Sequence, residues 1–262
     1  MNSRRILQLP LRAPTQRLTV VSRFQTRHAS TAVPQIPSGR SRWTRRLIYA
    51  SIFGALGVGA GAVLDSKIGL PAQPGSKEDK IYLEEIQNVF ESLPIVKELR
   101  DNPDCVESGV YEGLPEKSKA HRLTSKALAG SRGIGLQRVF ANDSTKEVTS
   151  VVFLGSGMEG WPTMVHGGAL GTIMDENMGR AAVRHLPERT GVTANMNINY
   201  RAPVYSGAFY TFHARLDQER STDRKAYTTC EVRDVAGKIC AEATGLFVVP
   251  KQYQLTRLGD RF

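Results

Sequence analysis

From residue 134 onward the apolar positions alternate with polar ones at period two, the signature of half-buried strands. Residues 134–140 and 148–154 read as a strand pair joined across Asn142-Asp143. Residues 193–200, 208–216, 226–235 and 239–249 read as four more strands, with Tyr210, Phe212, Ala214 and Leu216 alternating clearly. Between the pair and the four lies a different pattern. Residues 168–184 carry apolar side chains around most of a helical circumference, as expected of a helix enclosed by a sheet. Residues 217–224 are charged and read as a hairpin loop, and Ala236-Gly237 as a tight turn. The pattern predicts an α+β domain: an antiparallel sheet of about six strands wrapped around one central helix.

Upstream the pattern changes twice. Residues 78–100 place Ile81, Leu83, Ile86, Val89, Phe90, Leu93, Val96 and Leu99 mostly three or four apart. This is an amphipathic helix, broken or kinked at Pro94, and it forms an N-terminal helical appendage. Residues 71–76 read as a linker, and the polar stretch 102–126, with Pro103 and Pro115, as loop. Residues 47–64 form an uncharged run containing the pair Gly57 and Gly61 at G-x-x-x-G spacing. As a helix it would span about 27 Å, which is expected to reach across a hydrocarbon core as a membrane anchor.

Charge separates the ends of the chain. Residues 1–46 contain ten Arg, no Lys and no acid, and the first carboxylate is Asp65. The remainder balances at 25 basic against 25 acidic residues, so the net charge of +10 belongs to the N-terminus. An Arg-rich, Ser/Thr-rich, acid-free opening is the composition of a mitochondrial targeting segment. A domain without its own basic excess gives no case for a nucleic-acid partner. Cys105, Cys230 and Cys240 are widely spaced, which supports neither a disulfide framework nor a metal site. The domain plan is therefore targeting over 1–46, a membrane helix over 47–64, linker and amphipathic helix over 65–126, the sheet domain over 127–250, and a tail over 251–262.

The densest chemistry lies at HGGALGTIMDENMGRAA, residues 166–182. Gly167 and Gly168 let the backbone turn sharply where a helix begins, and a helix N-terminus favours developing negative charge. Asp175 lies seven residues after Gly168, nearly two turns on and close to the same face. A polarising turn and a carboxylate suit attack on a carbonyl. Asp175 can serve as general base or as nucleophile. Glu176 is expected to face solvent or an interface partner. Asn195, Asn197 and Asn199 share one phase and suggest a polar sheet face near a dimer seam. Arg201, Arg224 and Lys225 are candidate contacts for phosphates.

The motif HGGALGTIMDE, the segment 193–203 (TANMNINYRAP) and the segment 234–245 (DVAGKICAEATG) together resemble the hotdog-fold acyl-CoA thioesterases. The branch is that of 4-hydroxybenzoyl-CoA and phenylacetyl-CoA thioesterases, with most likeness to its mitochondrial members. The resemblance covers about residues 127–250. It implies hydrolysis of acyl-CoA to free fatty acid and CoA, with no cofactor and no metal. It also implies that Asp175 is catalytic, that Thr193 helps hold the attacking water, and that His166 shapes the site. Gly167 and Gly168 then bind the substrate carbonyl. Relatives act across a subunit interface, which implies a homodimer or higher homo-oligomer. Localisation would be mitochondrial, with an inner-membrane anchor through 47–64. Two other readings remain: a tethered hotdog protein binding acyl-CoA or lipid without turnover, and an acyl-CoA hydratase or dehydratase.

Overall fold

A computed structural model of the protein describes residues 42–68, 72–252 and 254–259. Most of the expected targeting segment, residues 1–41, lies outside the described residues. Contacts divide the chain into two compact units, 1–62 and 63–262.

Helix α1 (Arg42–Ile68) contains the whole uncharged run. Among the described residues, however, no helix is long and apolar enough to cross a membrane. The expected membrane anchor through 47–64 is therefore not supported. Arg45 and Arg46 occupy the first turns, and four glycines dilute the apolar surface up to Gly61.

The second unit begins with α2 (Lys77–Ser92) and α3 (Pro94–Asp101). Ser76 caps α2, its hydroxyl accepting from the Asp79 N–H at 3.1 Å. The Asp79 carboxylate accepts from the Gly75 N–H (2.8 Å), the Ser131 N–H (2.8 Å) and the Ser131 hydroxyl (2.6 Å). It thereby ties the start of α2 to the loop before the sheet. The predicted break falls at Leu93-Pro94, where Leu93 is extended and Pro94 opens α3 at a position that needs no N–H donor.

Next come β1 (Cys105–Gly109), the one-turn α4 (Glu116–Lys119) and a π-turn over Leu123–Ala127. The sheet continues with β2 (Ile134–Asn142) and β3 (Glu147–Leu154), then the short ribbon β4 (Glu159–Trp161) and β5 (Met164–Val165). Helix α5 (Gly167–His185) follows, then β6 (Val192–Tyr200), β7 (Ala208–Thr222), β8 (Lys225–Asp234) and β9 (Ile239–Val248). The main sheet has seven antiparallel strands in the order β1-β2-β3-β7-β8-β9-β6. The α+β class and the wrapped helix are as expected, with two corrections. Residues 102–126 contain strand β1, paired from Cys105↔Asn142 to Gly109↔Arg138, which adds a seventh strand. Five residues with an exposed Val106 leave too little alternation to be read as a strand. Most of the charged segment 217–224 is not loop but the far end of β7, closed by Thr222↔Lys225.

The sheet packs on both faces. Its inner face meets α5, whose Leu170, Ile173, Met174 and Met178 are buried against Val148, Val152, Phe212 and Val232. On its outer face, Ile86, Phe90 and Val96 from α2 and α3 pack on Leu136, Phe140, Val151 and Phe209.

Candidate active site

His166 is the N-cap of α5. Its backbone is extended (φ −62°, ψ 131°), and its Nδ1 accepts from the Gly168 N–H at 2.9 Å. The His166 N–H donates to the Met158 carbonyl at 2.9 Å, which pins the turn from the short ribbon into the helix. At Gly167 a Cβ would lie 3.0 Å from the Tyr200 ring, and the Tyr200 hydroxyl donates to the Gly167 carbonyl at 2.7 Å. A glycine is needed there because an aromatic ring covers the turn. The two glycines differ in what they offer. The Gly168 N–H is committed to His166, whereas the Gly167 N–H makes no hydrogen bond among the described residues.

Asp175 lies two turns further on, half-buried, and accepts from the Thr193 hydroxyl at 2.7 Å. Burial raises the Asp175 carboxyl above its ordinary value of 3.8. The Thr193 hydrogen bond opposes that rise and the neighbouring Glu176 charge adds to it. Asp175 and Thr193 sit together in a pocket of about 370 Å³ whose remaining walls include Ala182, Val183, Val192, Phe247 and Leu258. A carboxylate with a raised pKa over an apolar pocket can accept a proton from water near neutral pH.

Thr193 reaches Asp175 because β6 carries a bulge. Asn195 pairs with Leu246 and Thr193 with Phe247, so Ala194 is the extra residue. Met196 and Ile198 point inward, within reach of Gly171 on α5. Strict alternation would send Thr193 outward with Asn195, Asn197 and Asn199. The bulge reverses the phase and turns its hydroxyl toward the helix. The three asparagines remain together on the outer side of the edge strand.

Sequence reading missed the surroundings of Glu176. It does not face solvent: its side chain is only 14% exposed. Its carboxylate accepts from the Tyr111 hydroxyl at 2.5 Å and from the Thr124 hydroxyl at 2.6 Å, and pairs with Arg180 at 3.5 Å. Residues 110–126, part of the stretch 102–126 expected as loop, fold over this side of α5 and bring Tyr111 with them. Tyr111 is buried and has φ +54°, a conformation that local pattern does not announce.

Of the candidate phosphate contacts, Arg201 pairs with Glu242 at 2.7 Å and Arg224 donates to the Val249 carbonyl at 2.6 Å. Lys225 is exposed. Among the described residues no group of His, Cys, Asp and Glu could hold a metal ion.

Distance limits what one chain can do alone. Gly167 and Asp175 are eight residues apart on one helix, about 12 Å along its axis. One carbonyl cannot touch both.

Residues 163–241, which span α5, strands β6 to β8 and the start of β9, match the family model of the thioesterase superfamily. The chain is 28% identical over 196 residues to bovine (Bos taurus) acyl-coenzyme A thioesterase THEM4, covering 71% of this chain and 79% of that protein. It is 27% identical over 150 residues to the uncharacterized mitochondrial membrane protein FMP10 of Saccharomyces cerevisiae, covering 56% and 55%. Among solved structures, smu.793 from Streptococcus mutans bound to acetyl CoA aligns at TM-score 0.37 and 18% identity, over 40% of this chain and 82% of that one. Through this matched segment and the sheet it builds around α5, the chain is similar to the thioesterase superfamily.

Proposed function

We propose that this protein hydrolyses acyl-CoA thioesters to a free carboxylic acid and CoA, with Asp175 as general base. The observation that carries this reading is the 2.7 Å Thr193–Asp175 hydrogen bond at the mouth of an apolar pocket. Asp175 takes a proton from water as the water oxygen attacks the thioester carbonyl carbon. Thr193 holds one carboxylate oxygen and leaves the other for the water. The carbonyl oxygen gains negative charge and needs a pre-set donor, the role an unpaired N–H at a helix start fills. Collapse of the tetrahedral intermediate breaks the C–S bond, and the CoA sulfur leaves carrying the proton. The bovine relative's name, an acyl-coenzyme A thioesterase, supports this substrate class.

Because Gly167 lies about 12 Å from Asp175, the donor for a given carbonyl must come from elsewhere. We infer a homodimer in which the start of α5 in a second copy faces Asp175. Strand β6 pairs with β9 on one side only, and its other edge offers backbone groups to such a partner. Mitochondrial localisation is supported by the acid-free, Arg-rich opening and by the name of the yeast relative. A reporter carrying residues 1–41 should enter mitochondria, and a cytosolic reporter would refute targeting by this segment.

Asp175→Asn tests the chemistry. It keeps an acceptor for Thr193 but removes the base, so kcat should fall by roughly 10²–10⁴ while KM changes little. Stability should hold. The folded Asp175 pKa is raised, so its ionised form weakens the fold as pH climbs through that raised value, and Asn avoids this. Near-normal turnover in folded Asp175→Asn protein would refute the role, and a wild type that binds acyl-CoA but releases no CoA would refute hydrolysis.

A further inference from the structure

A second cleft of the sheet domain is larger than the one that holds Asp175. It lies between α2 and the outer face of the sheet and encloses about 620 Å³, within the size range of small-molecule sites. Ile86, Val89 and Leu93 form its helical wall, and Phe153 and Phe209 its sheet wall. The apolar stripe of α2 is wider than the sheet covers. Ile86 and Phe90 are buried, yet Tyr82 and Val89, on the same stripe and facing the cleft, are 53% and 50% exposed.

The polar groups are few and mostly committed. The Ser131 hydroxyl donates to Asp79 and the Ser206 hydroxyl to Glu159. Arg132 differs. It is half-buried in the cleft lining, and among the described residues its guanidinium has no hydrogen bond and no ion pair. Glycine at 157 gives it room, since a Cβ there would lie 3.0 Å from Arg132 Nε. Glu85 stands exposed on the rim and forms no ion pair with it. Long apolar walls with one unspent cation fit an amphiphile with a single negative end. A neutral lipid would leave the guanidinium unused, and a nucleotide would set polar edges against phenylalanines.

We propose that this cleft binds a long-chain carboxylate, its alkyl chain between α2 and the sheet and its carboxylate on Arg132. The site does not use Asp175, so it stands or falls separately from thioester hydrolysis.

The test is titration of the full chain with dodecanoate, and separately with 1-dodecanol, by calorimetry. Wild type should bind dodecanoate saturably, more tightly than the alcohol. Arg132→Ala should weaken dodecanoate about tenfold, the scale of one charge-assisted contact, and leave dodecanol unchanged. Val89→Trp should fill the cleft and weaken both ligands at least about tenfold, as one residue-sized block of an apolar site. Tyr82→Glu, at another exposed wall position, gives an independent block. Asp175→Asn should bind as wild type does. No binding, or binding that Val89→Trp and Tyr82→Glu both leave intact, would overturn the site. Equal losses of acid and alcohol in Arg132→Ala would overturn the carboxylate assignment.

Discussion

The two faces of one sheet are packed by different means. The inner face is filled by α5, whose buried side chains contact strands on both halves of the sheet. The outer face is covered only over β1, β2, β3 and the start of β7, where Phe90 and Val96 sit on Phe140, Val151 and Phe209. Beyond that patch it is polar, with His213, Arg215 and Glu231 around Glu147. The strands record the difference. In β3, Val151-Val152-Phe153-Leu154 is continuously apolar, because neighbouring residues face two covered layers. In β8, Thr229-Cys230-Glu231-Val232-Arg233 alternates strictly, because only one face is covered. A loss of alternation within one strand thus marks where a second layer docks.

The largest effect is expected from breaking the inner layer. Phe212 is fully buried against α5, and Phe212→Ala should cost about 3–5 kcal/mol in urea unfolding and abolish any ordered site. The matched change outside, Phe90→Ala, removes a side chain equally buried. If the outer layer is a separable cooperative unit, Phe90→Ala should strip hydrogen-exchange protection from α2 and α3 while α5 stays protected. Loss of protection throughout in both variants would mean the layers unfold as one, and the contrast drawn above would fail.

A smaller effect sharpens the contrast further. Burial alone would raise the Asp79 carboxyl, but hydrogen bonds from the Ser131 hydroxyl and from the Gly75 and Ser131 N–H groups outweigh it and hold it below 3.8. A folded pKa below the unfolded one contributes stability that is present above about 3.8 and lost as pH falls through the folded value. Asp79→Asn should therefore cost about 1–3 kcal/mol at neutral pH and progressively less toward pH 3. The loss should fall on α2, not on α5. A pH-independent difference would show that shape, and not charge, holds this joint.

Most of the inner layer was legible because its signals are local. Period two marks β2, β3, β7, β8 and β9, and all-round apolarity marks α5. His166, Gly167, Gly168 and Asp175 were legible as one segment because a helix start needs few residues to announce itself. What was not legible depends on long-range contact. Glu176 looked like a surface acid, since nothing near it predicts that Tyr111 and Thr124 arrive from 65 and 52 residues away. Strand β1 is too short and too exposed to alternate. The apolar run of residues 47–64 was read from its length and its G-x-x-x-G pair, whereas its four glycines and the adjoining arginines dilute the apolar surface of the helix there.

The bulge at Ala194 makes the site sensitive to chain length in a way that residue identity does not express. Substituting Ala194 leaves Thr193 aimed at the helix. Inserting one more residue between Thr193 and Asn195, with no second bulge to absorb it, would send the Thr193 hydroxyl to the far side of the sheet, with every site residue still present in name. At this point of the strand an insertion is a rotation. A comparison of related sequences that tallies identities but ignores gaps would score such a chain as intact.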